Sequence, residues 1–230
     1  MAELIAVVGK SGSGKSTSLR NINPEETFII NVAGKPLPIR GYKKKYSPLV
    51  KTESGFEGNL YNTSDVSNIT KILKIVEKTR PEIKQIIIED AQYLMAFEAM
   101  DRAEEKNYDK FVQIAKHFYS VLKESMNMRE DLKIIVLSHS ENLGDAMNPD
   151  YKMKTIGKML DNMVTIEGLF TYVLFTTIVT DPADDSISYK FVTNSDGTTT
   201  AKTPMGMFEE LLIDNDLQIV IDKINEYNEG

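Results

Sequence analysis

The chain has 230 residues, 41% of them hydrophobic and 27% charged, with a formal net charge of −7 and no cysteine. This is ordinary globular usage, and it excludes extended disorder, a disulfide scaffold, thiolate metal sites and a cysteine nucleophile; no apolar stretch approaches the ~20 residues that a membrane-spanning helix needs. The acidic balance argues against a surface coated for non-specific nucleic-acid binding, although a local basic path remains open. One domain over residues 1–230 and a cytoplasmic location, with no membrane partner, are expected.

The first element is the apolar run "ELIAVV", Glu3 to Val8, which predicts a buried strand. "GKSGSGKST" follows, Gly9 to Thr17, and then "KSTSLRNI", a predicted helix. Gly9, Gly14, Lys15 and Ser16 satisfy G-x-x-x-x-G-K-[ST], and Gly12 adds a further glycine. In such a loop the backbone N–H groups from Ser11 through Gly12, Ser13, Gly14, Lys15 and Ser16 to Thr17 can converge on phosphate oxygens. Lys15 supplies a point charge for the β- and γ-phosphates, Ser16 a hydroxyl ligand for Mg²⁺, and the dipole of a helix starting at Lys15 adds to both. A nucleoside triphosphate, with ATP and Mg²⁺ as the expected pair, is implied.

"TFIINVAG", Thr27 to Gly34, reads as a second strand, closed off by Pro36 and Pro38. Residues 41–63 are polar, aromatic and rich in glycine, which predicts an insertion or mobile loop. Within it Lys43, Lys44 and Lys45 lie between Tyr42 and Tyr46. Ile69, Ile72, Leu73 and Val76 recur at helical spacing, with Ser64 or Asp65 as a cap and Pro81 beyond the stop. The run Ile86 to Ile88 then ends in Glu89 and Asp90, the Walker B form of a buried strand delivering carboxylate at its carboxyl end. Side chains alternate across a strand, so both acids face the phosphates only if the strand has already ended. Glu89 is expected as the outer-sphere metal partner and Asp90 as the group that polarises water.

Tyr93 to Met128 has a helical pattern, with Phe111, Ile114, Ala115, Phe118 and Leu122 in one stripe, and Lys133 to Leu137 is the next buried strand, ending in Ser138 and His139. His139 is the candidate γ-phosphate sensor, whereas His117, inside the helix, reads as structural. Residues 144–158 predict a flexible loop and "TIGKMLDNMVTIEG" a short helix. "LFTYVLFTTIVTD" and "SISYKFVTN" predict adjacent antiparallel strands, and Leu217, Val220, Ile221, Ile224 and Tyr227 a closing helix. Alternating strands and helices imply an α/β fold, a mostly parallel sheet flanked by helices on both faces, with C-terminal antiparallel strands. Gly9, the Glu89–Asp90 pair and Ser138–His139 all stand at the carboxyl ends of strands, where such sheets bind ligands.

On the phosphate loop, the acidic strand end, "SHSEN" and "AKTPMGMF", the chain resembles the bacteriophage-encoded RecA-like P-loop ATPases, a group similar to RecA recombinases and to phage ATPases of single-strand annealing. The order of elements agrees over essentially the whole chain. The resemblance implies a homo-oligomeric ring or filament with ATP at subunit interfaces, where a basic residue of the neighbour completes the site. Lys202 is the candidate for that role. It also implies DNA-binding loops at the position of "GDAMNPDYKMKTIGK", where Lys152, Lys154 and Lys158 supply charge, alongside Lys43, Lys44 and Lys45. Tyr42, Tyr46 and Tyr151 could add base stacking. One departure matters: RecA proteins carry a catalytic glutamate after their second core strand, and "NVAGKP" has no acid there. The burden falls on Asp90, or on Glu53 or Glu57 in the following loop.

The expectation is therefore a Mg²⁺-dependent oligomeric ATPase acting on DNA, single-stranded by preference, in phage recombination or replication. A nucleotide-gated assembly protein with little turnover is the alternative. A small-molecule kinase fits less well, because the chain has no dense arginine cluster.

Overall fold

The computed structural model describes residues 1–156 and 164–230. At its centre is a mixed sheet in the order β11-β10-β9-β1-β7-β6-β2-β5. Its strands are β1 (Glu3–Gly9), β2 (Thr27–Asn31), β5 (Leu60–Asn62), β6 (Gln85–Glu89), β7 (Lys133–Asn142), β9 (Tyr172–Thr180), β10 (Ile187–Val192) and β11 (Leu212–Asp214). From β5 to β9 the pairings are parallel, and those of β10 with β9 and β11 are antiparallel. The expected α/β class is the one observed.

The parallel strands are apolar at consecutive positions because both faces of the sheet are covered. Ala6, Val8, Phe28, Ile30, Ile88 and Val136 pack on one face with the buried stripes of α2 (Val66–Thr79) and α4 (Asp109–Met126). Ile5, Val7, Ile29, Ile87 and Ile135 pack on the other with Leu19 and the buried residues of α5 (Leu217–Glu229). Both α2 and α5 begin on an aspartate cap. Asp65 accepts from the N–H groups of Ser67 and Asn68, and Asp216 from that of Gln218. Of the two caps open for α2, the structure uses Asp65.

The helical stretch from Tyr93 to Met128 is two helices, α3 (Gln92–Asp101) and α4. Lys110 breaks it, its Nζ donating to the carbonyls of Arg102, Ala103 and Glu105 and so closing a turn between them. "KSTSLRNI" forms only a six-residue 3-10 helix, Ser16–Asn21. Its dipole is too short to supply the help expected of a full helix. Residues 41–63, expected as an insertion or mobile loop, hold the short helix α1 (Tyr42–Lys45), the hairpin β3 (Val50–Thr52) and β4 (Gly55–Glu57), and β5, which extends the central sheet beside β2. β7 runs on past the sheet and pairs antiparallel with β8 (Tyr151–Met153), so these three residues of the predicted flexible loop form the arm of a hairpin, while 144–150 make the irregular connection between its arms. Half of the short helix expected over "TIGKMLDNMVTIEG", residues 157–163, lies outside the described residues, and at its end Ile166–Leu169 forms a 3-10 helix. Among the described residues no helix is long and apolar enough to cross a membrane.

Phe28 on β2 is fully buried in the larger core. Phe28→Ala should lower unfolding stability by about 3–5 kcal/mol, read from the midpoint of a urea transition.

Candidate nucleotide site

Register places the ends of the central strands side by side: Gly9 opposite His139, and Asn31 opposite Glu89. The phosphate loop starts there because Gly9 leaves no room for a side chain. A Cβ at that position would lie 1.8 Å from Thr176 Oγ1 on β9 and 2.8 Å from Ser13 Oγ. Ser13 and Thr176 share a hydrogen bond of 2.5 Å that ties the loop to β9. Gly12 and Gly14 have φ of +76° and +99°, conformations that only glycine adopts without strain. Lys15 is buried and folds back, its Nζ donating to the carbonyls of Gly9 (2.9 Å) and Lys10 (2.8 Å). Burial brings its pKa down to about 8, against the pull of Glu89 and Asp90.

β6 ends at Glu89, and Asp90 occupies the left-handed region with φ +59°. This turn breaks the alternation of the strand and lets both acids reach the same crevice. The Ser16 hydroxyl donates to Glu89 Oε1, while Glu89 Oε2 is buried without a hydrogen-bond partner. Burial pushes the Glu89 pKa up to about 7, with the Ser16 hydrogen bond opposing. A hydroxyl beside an unsatisfied carboxylate oxygen is a hard-oxygen donor set that suits Mg²⁺. Among the described residues no group of three or more His, Cys, Asp or Glu could hold a metal by itself, so the phosphates of a bound nucleotide would have to supply the remaining ligands.

Asp90 is almost fully buried and forms an ion pair with Lys35, Nζ to Oδ2 at 2.5 Å. Lys35 is placed by a turn in which Asn31 Oδ1 accepts from the Gly34 N–H and Asn31 Nδ2 donates to the Lys35 carbonyl. Burial lowers the Lys35 pKa, but its contacts with Asp90 outweigh this and the net shift is upward. His139 Nε2 stands 3.9 Å from Asp90 Oδ1. Burial, followed by the charge of Lys15, holds the imidazole below its usual pKa, so it is neutral at pH 7. Its carbonyl accepts from the N–H of Lys154 at 2.8 Å, a direct link from the site to the end of the β7–β8 hairpin.

Lys15, Lys35, Asp90 and His139 line a cleft of about 760 Å³ together with Ser11, Gly12, Gly14, Ser16, Thr17, Arg20, Pro36, Pro38, Tyr189 and Asn215, and Glu89 lies behind the Ser16 hydroxyl that it accepts from. Four of its polar side chains, Lys35, Arg20, Tyr189 and Asn215, were not singled out from the sequence. Lys35 carried a usable signal, since it lies just past a strand whose carboxyl end had to open on the crevice. The other three carried none. Glu53 and Glu57 do not line the cleft, because both belong to the β3–β4 hairpin. Of the acids left open for activating water by the missing strand-end glutamate, only Asp90 lines the cleft.

The basic candidates are scattered. Lys43, Lys44 and Lys45 are exposed on α1, with Lys45 Nζ 3.3 Å from the carbonyl of Arg20. Lys152 lies within β8 opposite Glu141, Lys154 directly follows β8 at the base of the hairpin, and Lys158 lies outside the described residues. The expected interleaving of aromatics is corrected in part. Tyr46 is buried in the core beneath α1, and Tyr151 is occupied by Lys10, which donates to its hydroxyl at 2.9 Å and stands 4.7 Å over its ring. Lys202 pairs through its backbone with Val173, level with Ala6 and three residues short of Gly9, about 10 Å along the strand from the phosphate loop. His117 pairs with Glu98 away from the cleft, in keeping with its structural reading.

No family model matches the chain, and no curated protein matches it. Among solved structures, a KaiC-like protein from the hyperthermophilic archaeon Pyrococcus horikoshii OT3 is similar at 11% identity, with a TM-score of 0.42, over 83% of this chain and 77% of the other.

The two shifted groups set a pH window for binding. Below about pH 7 Glu89 is protonated and must lose a proton to face a cation; above about pH 8 Lys15 is neutral and must gain one to face a phosphate. Affinity for Mg²⁺-triphosphate should peak between these values and fall by up to about tenfold per unit on either side, measured by titration calorimetry. Folding raises the Glu89 pKa from 4.5 to about 7, so the ligand-free protein loses stability as pH rises between those values. Glu89→Gln should remove that loss and flatten the acid limb of binding.

Proposed function

We propose that the chain is a Mg²⁺-dependent, RecA-like P-loop ATPase that works as an oligomer, with single-stranded DNA as its partner. The observation that carries the hydrolytic reading is the phosphate loop's own pairing. Lys15 rests on the Gly9 and Lys10 carbonyls and Ser16 rests on Glu89, so an ammonium and a hydroxyl are held side by side at the head of the sheet by contacts that a triphosphate and its cation would replace. In hydrolysis a water oxygen forms a bond to the γ-phosphorus while the bond to the β,γ-bridging oxygen breaks. Asp90 orients the water and accepts its proton, Lys15 offsets the charge on the phosphates, and His139 donates to the γ-phosphate. Ser16 and Glu89 would hold Mg²⁺, which when bound neutralises phosphate charge.

The oligomeric part of this reading draws support from Lys202. Its distance from the phosphate loop of its own chain is what a residue serving a neighbouring copy requires. The DNA-directed part rests on Lys152 within β8 and Lys154 at the base of the hairpin, where its N–H meets the His139 carbonyl, through which the phosphate state would reach a bound strand. The kinase reading loses ground, since among the described residues Arg20 is the one arginine lining the cleft and it is turned to the carbonyl of Asn215.

A second reading, a nucleotide-gated assembly protein with little turnover, is favoured by the Lys35–Asp90 ion pair. A carboxylate held by a lysine at 2.5 Å is a poor proton acceptor until that lysine moves.

Phosphate release separates the two. Lys15→Ala should abolish it, and Asp90→Asn should lower it by about 100-fold or more with nucleotide affinity preserved. Release should rise with single-stranded DNA, and that stimulation should fade between about 50 and about 200 mM salt. Nucleotide-dependent assembly of the wild type without phosphate release would replace the first reading with the second.

A further inference from the structure

The hydrolytic mechanism leaves one wall of the cleft without a task. Beside Gly14 the chain brings together Tyr189 from β10 and Asn215 from the turn before α5, residues more than 170 positions from the phosphate loop. They press on the loop itself. A Cβ on Gly14 would lie 3.0 Å from Asn215 Oδ1 and 3.2 Å from Tyr189 Cδ1. Tyr189 is nonetheless 46% exposed and lines the cleft beside the phosphate loop.

Asn215 is the more telling of the two. Only 3% of it is exposed, and its backbone is held on both sides: its N–H donates to the Tyr189 carbonyl at 3.2 Å, and its own carbonyl accepts from Arg20 Nη1 at 2.5 Å. Asp216, next in the chain, accepts from Asn21 Nδ2 at 2.5 Å and caps α5. The side-chain amide, by contrast, has no partner at Nδ2, although that atom is buried. A rigidly held, buried donor without an acceptor is costly, and it is explained if a ligand completes it.

We propose that Tyr189 and Asn215 form a nucleobase subsite that selects adenine. The proposal rests on the triphosphate reading of the neighbouring loop and adds the specificity which that loop lacks. An asparagine amide matches adenine in a bidentate pair, donating to N7 and accepting from the N6 amino group. Guanine presents an acceptor, O6, where adenine presents that donor, so the same amide meets it with one oxygen opposed to another. The Tyr189 ring stacks on the base face, which is tolerant of base identity, so selectivity belongs to Asn215 and general affinity to Tyr189.

The test compares binding of Mg²⁺-ATP, Mg²⁺-GTP and inorganic tripolyphosphate by calorimetry to the wild-type protein and to Asn215→Ala, Tyr189→Ala, Tyr189→Phe and Lys15→Ala. Asn215→Ala should weaken ATP by about tenfold or more and bring it level with GTP. Tyr189→Ala should weaken both nucleotides by a similar factor, and Tyr189→Phe should restore them. Tripolyphosphate should bind both alanine variants at the base wall as it binds the wild type, and should be lost only with Lys15→Ala. Unchanged ATP affinity in Asn215→Ala and Tyr189→Ala would overturn the base subsite while leaving the phosphate loop intact. Loss of tripolyphosphate in Asn215→Ala would overturn it too, by showing that the residue merely supports the loop. A wild-type protein that binds none of the three ligands would instead defeat the triphosphate reading itself.

Discussion

The structure depends on how charge is kept at the end of an apolar sheet. Lys15, Glu89 and Asp90 are buried at the carboxyl ends of strands whose other residues are almost wholly Ile, Val, Leu and Phe. Isolated charges in such a place are unaffordable, so each must find a partner or change its protonation state. Lys15 takes the loop carbonyls, Glu89 takes the Ser16 hydroxyl, and Asp90 takes Lys35. Every one of these partners is weaker than a phosphate or a divalent cation would be. A site held in this way is stable enough to fold and poor enough in contacts to bind, and the raised Glu89 and lowered Lys15 pKa values are its electrostatic mark.

Geometry turns this cluster into a device with a direction. β7 separates the phosphate-loop strand from the acidic strand, so its end, His139, stands next to both Gly9 and Asp90. The same strand continues without a break into the β7–β8 hairpin, and Lys154 closes on His139 by a backbone hydrogen bond. A change in what His139 touches therefore has a covalent and hydrogen-bonded route outward, through a strand pair rather than through side-chain packing. On the opposite flank β9 fastens the loop through the Ser13–Thr176 hydrogen bond, on the side of β1 away from His139.

Much of this was legible along the chain. Consecutive apolar residues in "LIAVV", "IIIE" and "IIVL" specified strands buried on both faces, and the helical stripes at Ile69 to Val76 and Phe111 to Leu122 specified what covers one of them. Local chemistry also sufficed to narrow the cap of α2 to Ser64 or Asp65 and to give the C-terminal strand pair, because each depends on neighbours within a few residues, whereas the Asp216 cap of α5 came from the structure. What local pattern misjudged were the cases that tertiary contact decides. The stretch after the phosphate loop has helix-forming residues yet closes as a short 3-10 turn, with Arg20 and Asn21 drawn to Asn215 and Asp216 at the far end of the chain. Tyr46 has the composition of an exposed aromatic beside lysines, but the underside of α1 needed an apolar cover and took it into the core.

The sequence by itself determined the phosphate cradle, since its glycines, lysine and serine must follow one another within nine residues, and a motif that short depends on backbone conformation alone. It determined likewise that acids and a histidine would stand at strand ends, because hydrophobic runs declare where strands stop. Only the tertiary structure decided which groups meet there. Strand order placed His139 between the loop and Asp90, the left-handed turn at Asp90 let both acids face one crevice, and Lys35, Tyr189 and Asn215 arrived from strands and turns with no motif to announce them. The physical reason is that pairing across a sheet depends on the burial of whole faces, a sum over the entire chain, whereas a motif records only the needs of one ligand contact.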